Sequence, residues 1–316
     1  MKLMVLLACL LIGSAAAQPY PGKPVRWIVP TGAGSAVDVT ARRIAPKLSE
    51  ALGQPVIVDN RPGANSMIGA REAARAAPDG HTLFQAVVNN ALNDLLTPDP
   101  CCILNDKLVP VTRLVSTPLV MVVHPSVPAS SVKEYVAAAK SMPNQLTYAS
   151  SGTGAITQMV GELLKSSAGI QVREIPYKAI GAELPDLTGG HVTTAFLASV
   201  VIRDHIKSGK LRGLAVAGPK RVSIVPDVPT MAEAGYPAIE ATGWNGIFVA
   251  AGTPQAVVQR LHQEIATILR SKEMQDDAVN LGSELGGERP EEFAAFVRSE
   301  IRKWGKVIKD AGIKIE

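Results

Sequence analysis

The sequence predicts an α/β fold made of two similar units, and three observations lead to this prediction. Segments rich in β-branched residues alternate with amphipathic segments, which is typical of a parallel sheet with helices on its faces. The chain has 316 residues, and at about 150 residues per domain this length suggests about two domains. Two turns of small residues, PTGAGSAVD and SSGTGAIT, stand at similar strand-to-helix junctions in the two units.

Residues 1–17 are expected to form a secretory signal peptide. Lys2 provides a basic start, an apolar run covers residues 3–12, and the alanines at 15–17 match a small-residue cleavage site. The apolar run is too short to span a membrane, and no later segment reaches about 18 consecutive apolar residues. We therefore expect the mature, exported protein to begin at residue 18.

The first unit should begin with a buried strand and continue with alternating helices and strands. The run VRWIV is rich in β-branched and aromatic residues, as strands are. Apolar residues then recur at Ile44, Leu48 and Leu52 with helical spacing, and Gly53 ends that helix. The strands are predicted at residues 25–29, 56–58 and 82–88, and the helices at residues 39–52 and 68–77.

The second unit should repeat this alternation, and two amphipathic helices should complete the chain. Strands are predicted at residues 119–123, 146–149, 172–175, 192–196, 214–216 and 243–250, and helices at residues 132–142, 157–167, 254–270 and 290–311. In the first of the two tail helices, Val257, Leu261 and Ile265 lie on one face, which indicates packing against a core.

The two small-residue turns are the best candidates for a binding site. Their glycines allow close approach of the backbone and can adopt positive φ. The amide groups that start each following helix carry about half a positive charge, and neighbouring Ser and Thr hydroxyls add donors. Ligands of open α/β sheets lie at the carboxyl ends of strands, so two facing units would form a cleft there. Glycine needed for turn geometry alone is the alternative, but two turns in similar places favour binding of a carboxylate or phosphate oxygen.

Nucleotide and catalytic motifs are missing from these turns. Gly34 is followed by Ser35 rather than by the Lys of a P-loop, and Val37 stands where a dinucleotide fingerprint has its third glycine. Neither turn contains the Gly-x-Ser-x-Gly motif of a serine hydrolase. The five histidines match no metal or catalytic motif. We therefore predict binding without catalysis, and we expect neither a metal nor a cofactor.

Charge and cysteine usage exclude further classes of partner. The net charge of +4 is spread along the chain without a basic block among aromatic residues, so nucleic acid is not an expected partner. Cys101 and Cys102 are the only cysteines after residue 17, and two neighbours cannot build a disulfide framework or a cysteine zinc site. Because a vicinal disulfide is strained, we expect two free thiols and leave their redox state open.

Stretches that follow one another over nearly the whole mature chain carry a family resemblance. They include VRWIVPTGAGSAVDVTARRIAPKL, LTYASSGTGAITQMVGELL, PDVPTMAEAGYP and GWNGIFVAAGTP. These stretches resemble the Bug (TctC-like) extracytoplasmic solute receptors of tripartite tricarboxylate transporters. The resemblance implies a periplasmic binding protein of the type II, Venus-flytrap class, with two lobes that are each a mostly parallel sheet flanked by helices. It also implies that the protein captures a small carboxylic acid between the lobes and delivers it to a membrane permease, without catalysis or a cofactor. We expect a monomer.

The resemblance further implies that the turns hold the ligand carboxylate, largely through main-chain groups. The ligand-binding residues carried over by position are Thr31, Ala33, Gly34, Ser35, Asn89, Ser151, Thr153, Gly154, Ala155, Thr157, Tyr177, Ala198, Ser199 and Trp244. The first lobe would comprise residues 18–117 and 245–316, and the second lobe residues 118–244. Two chain crossings between the lobes would permit hinge closure around the ligand.

The sequence also departs from the family pattern, and one departure bears on the ligand. Asn65 and Ser66 replace the last two glycines of a GAGG motif. Thr193 and Leu197 occupy positions where family members often carry Asp, and the loss of that charge argues against amino-acid ligands. We therefore expect a mono- or dicarboxylic acid, including acids with an apolar or aromatic body.

Two other functions stay open from the sequence. An α/β enzyme, a hydrolase or a transferase acting on small organic acids, would need a base within hydrogen-bond reach of a nucleophile in the cleft. A sensor subunit would use the same binding fold but pass its signal to another membrane partner. The sequence leaves open which acid is bound and whether the cleft is open or closed.

Overall fold

The computed structural model describes residues 20–96, 104, 106–152, 154–177 and 183–312. The predicted signal peptide, Cys101, Cys102 and Thr153 lie outside the described residues. The strands are β1 Val25–Val29, β2 Val56–Asn60, β3 Thr82–Val87, β4 Leu108–Val123, β5 Thr147–Ser150, β6 Arg173–Pro176, β7 Thr194–Ala198, β8 Arg212–Ala217, β9 Thr242–Ala250 and β10 Glu284–Leu285. The helices are α1 Ala36–Leu52, α2 Met67–Ala74, α3 Val88–Leu96, α4 Val132–Ser141, α5 Ile156–Ala168, α6 Leu184–Thr188, α7 Ser199–Lys207, α8 Gln255–Leu269, α9 Lys272–Asn280 and α10 Pro290–Ala311.

The long strand β4 joins two groups of strands. Over residues 108–118 it pairs antiparallel with β9, and residues 115–116 also pair with β10. Over residues 119–123 it pairs antiparallel with β7 and β8. In the first strand group β1 runs parallel to β2 and β3, and in the second strand group β5 runs parallel to β6 and β7. The fold is therefore α/β with two lobes, each built on one strand group and flanked by helices, as predicted.

The carboxyl ends of the parallel strands meet near the middle of β4. Asn245 of β9 pairs both with Val87, the last residue of β3, and with Val115 of β4. Ala198, the last residue of β7, pairs with Leu119 of β4. The two lobes thus direct their strand ends, and the turns that follow them, toward one region of the molecule.

Helices cover the sheet with the apolar faces that the sequence pattern predicts. Ile44 and Leu48 of α1 and Leu261 and Ile265 of α8 are fully buried in one cluster with Trp27 of β1. Full burial of side chains of this size contributes about 1.5–3 kcal/mol each. Among the described helices, none combines the length and the apolar composition that a membrane crossing requires.

The structure extends or shifts several predicted elements for local reasons. Helix α1 begins at Ala36 rather than at residue 39, because the Ser35 hydroxyl caps it. Strand β4 begins at Leu108, well before the predicted residue 119. Two irregularities in its pairing with β9, between Pro110 and Thr112 and between Arg113 and Val115, interrupt the regular alternation. Helix α3 follows β3 directly, so the predicted third strand ends one residue earlier and Asn89 is helical.

Candidate functional site

The first turn, residues 31–35, joins the end of β1 to the start of α1. Ser35 caps α1 through its hydroxyl oxygen, which accepts a hydrogen bond from the Asp38 amide at 3.2 Å. The hydroxyl groups of Thr31 and Ser35 are hydrogen bonded to each other at 2.7 Å. Gly34 has φ 81°, a conformation that glycine adopts without strain. Ala33 and Gly34 are exposed, which leaves the backbone of the turn accessible to a ligand.

The buried carboxylate of Asp38 stabilises the first turn through hydrogen bonds. It accepts hydrogen bonds from the Gly34 amide at 2.8 Å, from Asn60 Nδ2 at 2.8 Å and from Arg42 Nε at 2.9 Å. Burial alone would raise the pKa of Asp38, but the hydrogen bonds from Arg42, Gly34 and Asn60 outweigh it and hold the pKa below its usual range. The Gly34 amide is therefore already used within the chain.

The second turn, residues 151–155, joins β5 to α5 in the same way. The Thr157 hydroxyl oxygen accepts a hydrogen bond from the Ser151 amide at 2.8 Å, and the Gln158 side-chain oxygen accepts one from the Gly154 amide at 2.9 Å. Gly154 has φ 77°. The hydroxyl group of Ser151 is buried and has no hydrogen-bond partner among the described residues. A buried hydroxyl without a partner costs free energy, and a bound ligand or water would remove that cost.

The two turns match position by position, with Asp38 and Gln158 as counterparts. Each of these side chains accepts the amide of the glycine four residues before it, so a carboxylate holds one turn and a neutral amide holds the other. Gln158 Nε2 then donates to Glu174 at 3.1 Å. The first two amides of each following helix make no hydrogen bond to a described residue; these are the amides of Ala36, Val37, Ile156 and Thr157.

The second turn lies directly against the first lobe. A Cβ atom placed on Gly154 would stand 3.2 Å from Leu96 Cδ1, 3.6 Å from Asn65 Nδ2 and 3.6 Å from Asn93 Oδ1. Leu96 and Asn93 belong to α3, and Asn65 precedes α2. The predicted residue Gly154 is thus brought against α3, which also carries the predicted Asn89.

The hydrogen bonds of the first turn, among the described residues, stay within the first lobe. Asn60 Nδ2 donates to the carbonyl oxygen of Thr31 at 3.0 Å, and Gln85 Nε2 donates to that of Val37 at 3.2 Å. Gln85 also donates to Asn245 Oδ1 at 3.0 Å, which links the turn to the start of β9. The first turn therefore lies beside the region where the strand ends meet, without a direct bond to the second turn.

Tyr177, predicted from the IPYK stretch, lies beside the second turn. Its carbonyl oxygen would stand 3.5 Å from a Cβ atom on Gly152. Its hydroxyl group donates to Asp186 at 2.8 Å. Burial raises the pKa of the Tyr177 phenol to about 12, and the hydrogen bond to Asp186 acts in the same direction. The phenol is therefore neutral, and its hydroxyl group is hydrogen bonded within the second lobe.

The last three predicted residues lie where the lobes join. Ala198 ends β7 and precedes α7, whose first residue is Ser199; the Ser199 hydroxyl is buried without a partner among the described residues. A Cβ atom on Gly282 would clash with that hydroxyl, so the chain after α9 packs on it. Trp244 is buried, packs edge-on against Phe293 and leaves its Nε1 without a partner in the described part of the chain.

Thr193 lies away from the second turn, so its identity does not indicate which ligand is bound. It precedes β7 and exchanges hydrogen bonds with Thr147, the first residue of β5, at 2.8 and 3.0 Å. This is the end of β5 opposite to the second turn. Leu197 is buried in the core of the second lobe. The loss of Asp at residue 193 therefore does not bear on whether the cleft accepts an amino group.

Three residues that the sequence reasoning did not select belong to this region: Asn65, Asn93 and Gln158. The match between the turns could have identified Gln158, because it occupies the position of Asp38. The replacement of glycine by Asn65 was visible in the sequence, but its contact with α3 was not.

A groove that carries arginine side chains lies along α2. Arg26, Arg71 and Arg75 line an open groove of about 560 Å³ together with Glu72. Arg26 is paired with Glu72 at 2.6 Å and also with Asp59, so part of this positive charge is already compensated. The described residues contain no cluster of three or more His, Cys, Asp or Glu side chains that could hold a metal ion.

Comparisons with known proteins agree on one family. The model of the tripartite tricarboxylate transporter family receptor, TctC, matches residues 40–313. The protein BugT of Bordetella pertussis is 34% identical over 303 residues, which cover 95% of this chain and 93% of BugT.

Solved structures show the same likeness. A periplasmic transporter is 35% identical with a TM-score of 0.83, over 94% of this chain and 100% of that one. The R. palustris protein Rpa4515, solved with adipate, is 31% identical with a TM-score of 0.82, over 93% of this chain and 99% of its own.

Proposed function

The chain belongs to the TctC family of tripartite tricarboxylate transporter receptors, and from this premise we propose that it binds a small carboxylic acid between its lobes. Family members are extracytoplasmic solute receptors rather than enzymes, so the enzyme alternative is set aside. The related Rpa4515 was solved with adipate, a dicarboxylic acid. A carboxylate is also the anion that free backbone amides at a helix N-terminus suit.

The observation that supports this proposal most is the set of free donors at the second turn. The amides of Ile156 and Thr157 and the buried hydroxyl of Ser151 have no partner among the described residues. These groups precede and follow Gly154 in the chain, and Gly154 lies against the opposite lobe. We infer that one carboxylate oxygen is bound there, and that the first turn contributes through Thr31, Ala33, Ser35 and the first amides of α1.

The absence of a cation from the hydrogen bonds of the second turn fits a receptor that must release its ligand. No Lys, Arg or His donates to residues 151, 152 or 154–158 among the described hydrogen bonds. A carboxylate held by neutral amides lacks the further attraction that a bidentate Arg or a Lys partner would add. Affinity is therefore moderate, and the ligand can leave for the next component.

The remaining predicted residues are proposed to line the same cleft. Ala155 belongs to the second turn, Tyr177 lies beside it, and Asn89 lies on α3. Ala198, Ser199 and Trp244 lie where the lobes join, and Thr153 is included from its place in the sequence alone. The lobes are proposed to divide at residues 117/118 and 244/245, close to the point where β4 changes partners between residues 118 and 119. Closure would then bend β4 and β9 at those crossings.

Thermal unfolding with matched acids and amides tests the ligand class. Each acid is compared with its primary amide, for example butyrate with butyramide and benzoate with benzamide; succinate and adipate extend the series. A ligand at 100 times its Kd adds about 2.7 kcal/mol to the free energy of unfolding. We expect at least one acid to stabilise the protein and its amide not to. Stabilisation by amides, sugars or nucleotides alone would refute the proposed class.

Ser151→Ala tests the position of the site. The hydroxyl has no partner in the described part of the chain, so its removal should leave the free energy of unfolding unchanged or slightly higher. Binding of the acid should weaken at least threefold. Ser131→Ala is the matched control, because Ser131 caps α4 through Glu134 N and should lose about 1 kcal/mol of stability without loss of affinity. Unchanged affinity in Ser151→Ala would remove the second turn from the site.

We further propose that the receptor delivers its ligand to the permease of a tripartite transporter, as a monomer exported through the signal peptide at residues 1–17. Family membership supports this partnership. Uptake of the radiolabelled acid by cells that carry the permease, with and without this receptor, tests it. Equal uptake in both strains would favour the sensor alternative. Sequencing of the exported protein should give an N-terminus at residue 18.

A further inference from the structure

The carboxylate of Glu174 lies at the end of two hydrogen-bonded chains that lead from the second turn. Glu174 belongs to β6, which runs beside β5. It accepts one hydrogen bond from the Ser150 hydroxyl group and one from Gln158 Nε2, the latter at 3.1 Å. The Ser150 hydroxyl oxygen accepts from the Gly152 amide at 3.3 Å, and Gln158 Oε1 accepts from the Gly154 amide at 2.9 Å. Both glycine amides are thus connected to one carboxylate.

This carboxylate fixes the direction of both chains. A carboxylate only accepts hydrogen bonds, so Ser150 gives its one hydroxyl hydrogen to Glu174 and keeps its lone pairs for the Gly152 amide. For the same reason Gln158 turns its NH2 group to Glu174 and its oxygen to the turn. Ser150 and Gln158 are both buried, so bulk water cannot replace these partners. The charge of Glu174 therefore decides which end of the Gln158 amide faces the turn.

The first turn uses its carboxylate differently. Asp38 accepts the Gly34 amide directly, and Arg42 pairs with Asp38 at 2.9 Å. At the second turn the carboxylate is one side chain further from the glycine, because Gln158 lies between them. Among the described residues, Glu174 accepts from neutral groups and forms no ion pair. Each turn is thus connected to a carboxylate, but only the second turn has a neutral group in between.

This separation matters because the second turn is the proposed site of an anion. A negative charge near the ligand's carboxylate repels it, and the repulsion grows as the distance shortens. The neutral Gln158 adds no charge of its own beside the Gly154 amide, and its hydrogen bond to Glu174 polarises it. The backbone of the turn is therefore held in place without a negative charge in direct contact with it.

We propose that Glu174 is a positioning residue of the carboxylate site and that Gln158 is its neutral spacer. Through Ser150 and Gln158, Glu174 fixes the backbone that precedes α5 and so fixes the direction of the first amides of α5. The inference rests on the proposed function, because an anion must bind at the second turn. It adds that binding requires both hydrogen-bonded chains and a neutral side chain at residue 158.

Glu174→Gln tests the positioning role. The new amide has one oxygen where the carboxylate has two, so it cannot accept from both Ser150 and Gln158, and one chain must break. We expect the affinity for the acid to fall about tenfold or more, together with the urea midpoint, because a buried donor loses its partner. The probe is the acid that binds most tightly among butyrate, benzoate, succinate and adipate.

Exchanging the two side chains separates hydrogen bonding from charge. In the double variant Gln158→Glu with Glu174→Gln, each hydrogen bond of the network again has a donor and an acceptor. The carboxylate, however, now accepts the Gly154 amide directly and has no cation beside it. The urea midpoint should recover toward that of the unmodified protein, because the hydrogen bonds are restored. The affinity should stay about tenfold or more below that of the unmodified protein, because the like charge is closer to the ligand.

Glu162→Gln is the matched control, because it removes a carboxylate one turn further along α5. Glu162 accepts from the Tyr148 hydroxyl at 2.7 Å and pairs with Lys165 at 2.7 Å, and no described hydrogen bond joins it to the second turn. Its affinity for the acid should stay within about twofold of the unmodified protein.

Isothermal titration and urea denaturation in buffers free of carboxylates measure affinity and stability for all variants. Unchanged affinity in Glu174→Gln would overturn the positioning role, whatever the double variant does. Affinity that recovers together with stability in the double variant would overturn the need for a neutral spacer. Both results leave the proposed function standing, since the acid still binds. If none of the four acids binds the unmodified protein, the proposed function fails and this inference fails with it.

Discussion

Gly154→Ala should weaken ligand binding much more than the same change at a comparable glycine elsewhere. Gly154 has φ 77°, and an alanine in this region costs about 1 kcal/mol of stability. The new methyl group would also stand 3.2 Å from Leu96 Cδ1, so the Leu96 side chain or the second turn must shift by a few tenths of an ångström. Because the second turn is proposed to bind the ligand, a shift of this turn should lower the affinity at least tenfold, or about 1.4 kcal/mol.

Two other glycines separate backbone strain from the effect on the cleft. Gly209 has φ 72° and Gly34 has φ 81°, and a Cβ atom on either meets nothing within 4 Å. Both alanine variants should lose about 1 kcal/mol of stability through strain alone. Gly209→Ala, in the turn after α7, should bind the ligand as the unmodified protein does. Gly34→Ala, in the first turn, should show an intermediate loss of affinity.

Urea denaturation and isothermal titration, both in buffers free of carboxylates, measure the two quantities on the same samples. We expect similar stabilities for Gly154→Ala and Gly209→Ala but affinities that differ at least tenfold. If Gly154→Ala binds the acid as tightly as Gly209→Ala, the second turn does not face the ligand. A loss of affinity shared by all three variants would indicate a general effect of destabilisation.

Three further changes test the forces that shape the site. Ser66→Gly should raise the free energy of unfolding by about 1 kcal/mol, because Ser66 has φ 74° and its side chain caps no backbone group. Ser271→Gly is the control, because Ser271 is extended and caps α9. This change should lower the free energy of unfolding by a few tenths of a kcal/mol. Asp38→Asn should lower the free energy of unfolding by about 2 kcal/mol at neutral pH, since it weakens the charged pair with Arg42. The pKa of Asp38 is lowered in the fold, so its contribution is present above about pH 4 and lost on acidification, and the variant should lack this pH dependence. Burial raises the pKa of Asp94 to about 7, so the free energy of unfolding should fall as pH rises from about 4 to about 7. Asp94→Asn should remove that fall, by at most about 4 kcal/mol.

The free energy of unfolding, measured by urea denaturation across pH, tests each of these three predictions. A Ser66→Gly variant less stable than the unmodified protein would refute strain in the loop before α2. An unaltered acid dependence in Asp38→Asn would show that other carboxylates dominate acid unfolding. An Asp94→Asn variant that still loses stability between about pH 4 and 7 would remove Asp94 as the cause.

The two turns could be predicted from sequence because their chemistry is local. Glycine spacing, a following amphipathic helix and a preceding β-branched strand identify a strand-to-helix junction without tertiary information. The structure places both turns at those junctions, with positive φ at Gly34 and Gly154. The full length of strand β4 was harder to predict from the sequence, because Pro110 and two pairing irregularities break the alternation that would indicate a strand.

The side chains that complete the site depend on contacts between distant segments. Asn65 and Asn93 are 28 positions apart in the chain, and nothing in their local sequence indicates that the loop before α2 folds over α3. For Thr193 the prediction failed in the opposite way. The family pattern suggested that this residue lies in the cleft, but the strand register places it at the other end of β5. Local pattern thus predicts the backbone donors, whereas register and loop conformation decide which side chains accompany them.

A crystal structure of the protein with the acid that stabilises it most tests the central claim directly. We expect one carboxylate oxygen within 3.2 Å of the amide of Ile156 or Thr157, with the Ser151 hydroxyl as a further donor and the acid enclosed by both lobes. An acid bound instead along α2, in the groove lined by Arg26, Arg71 and Arg75, would show that side-chain charge, and not the amides of the second turn, holds the ligand.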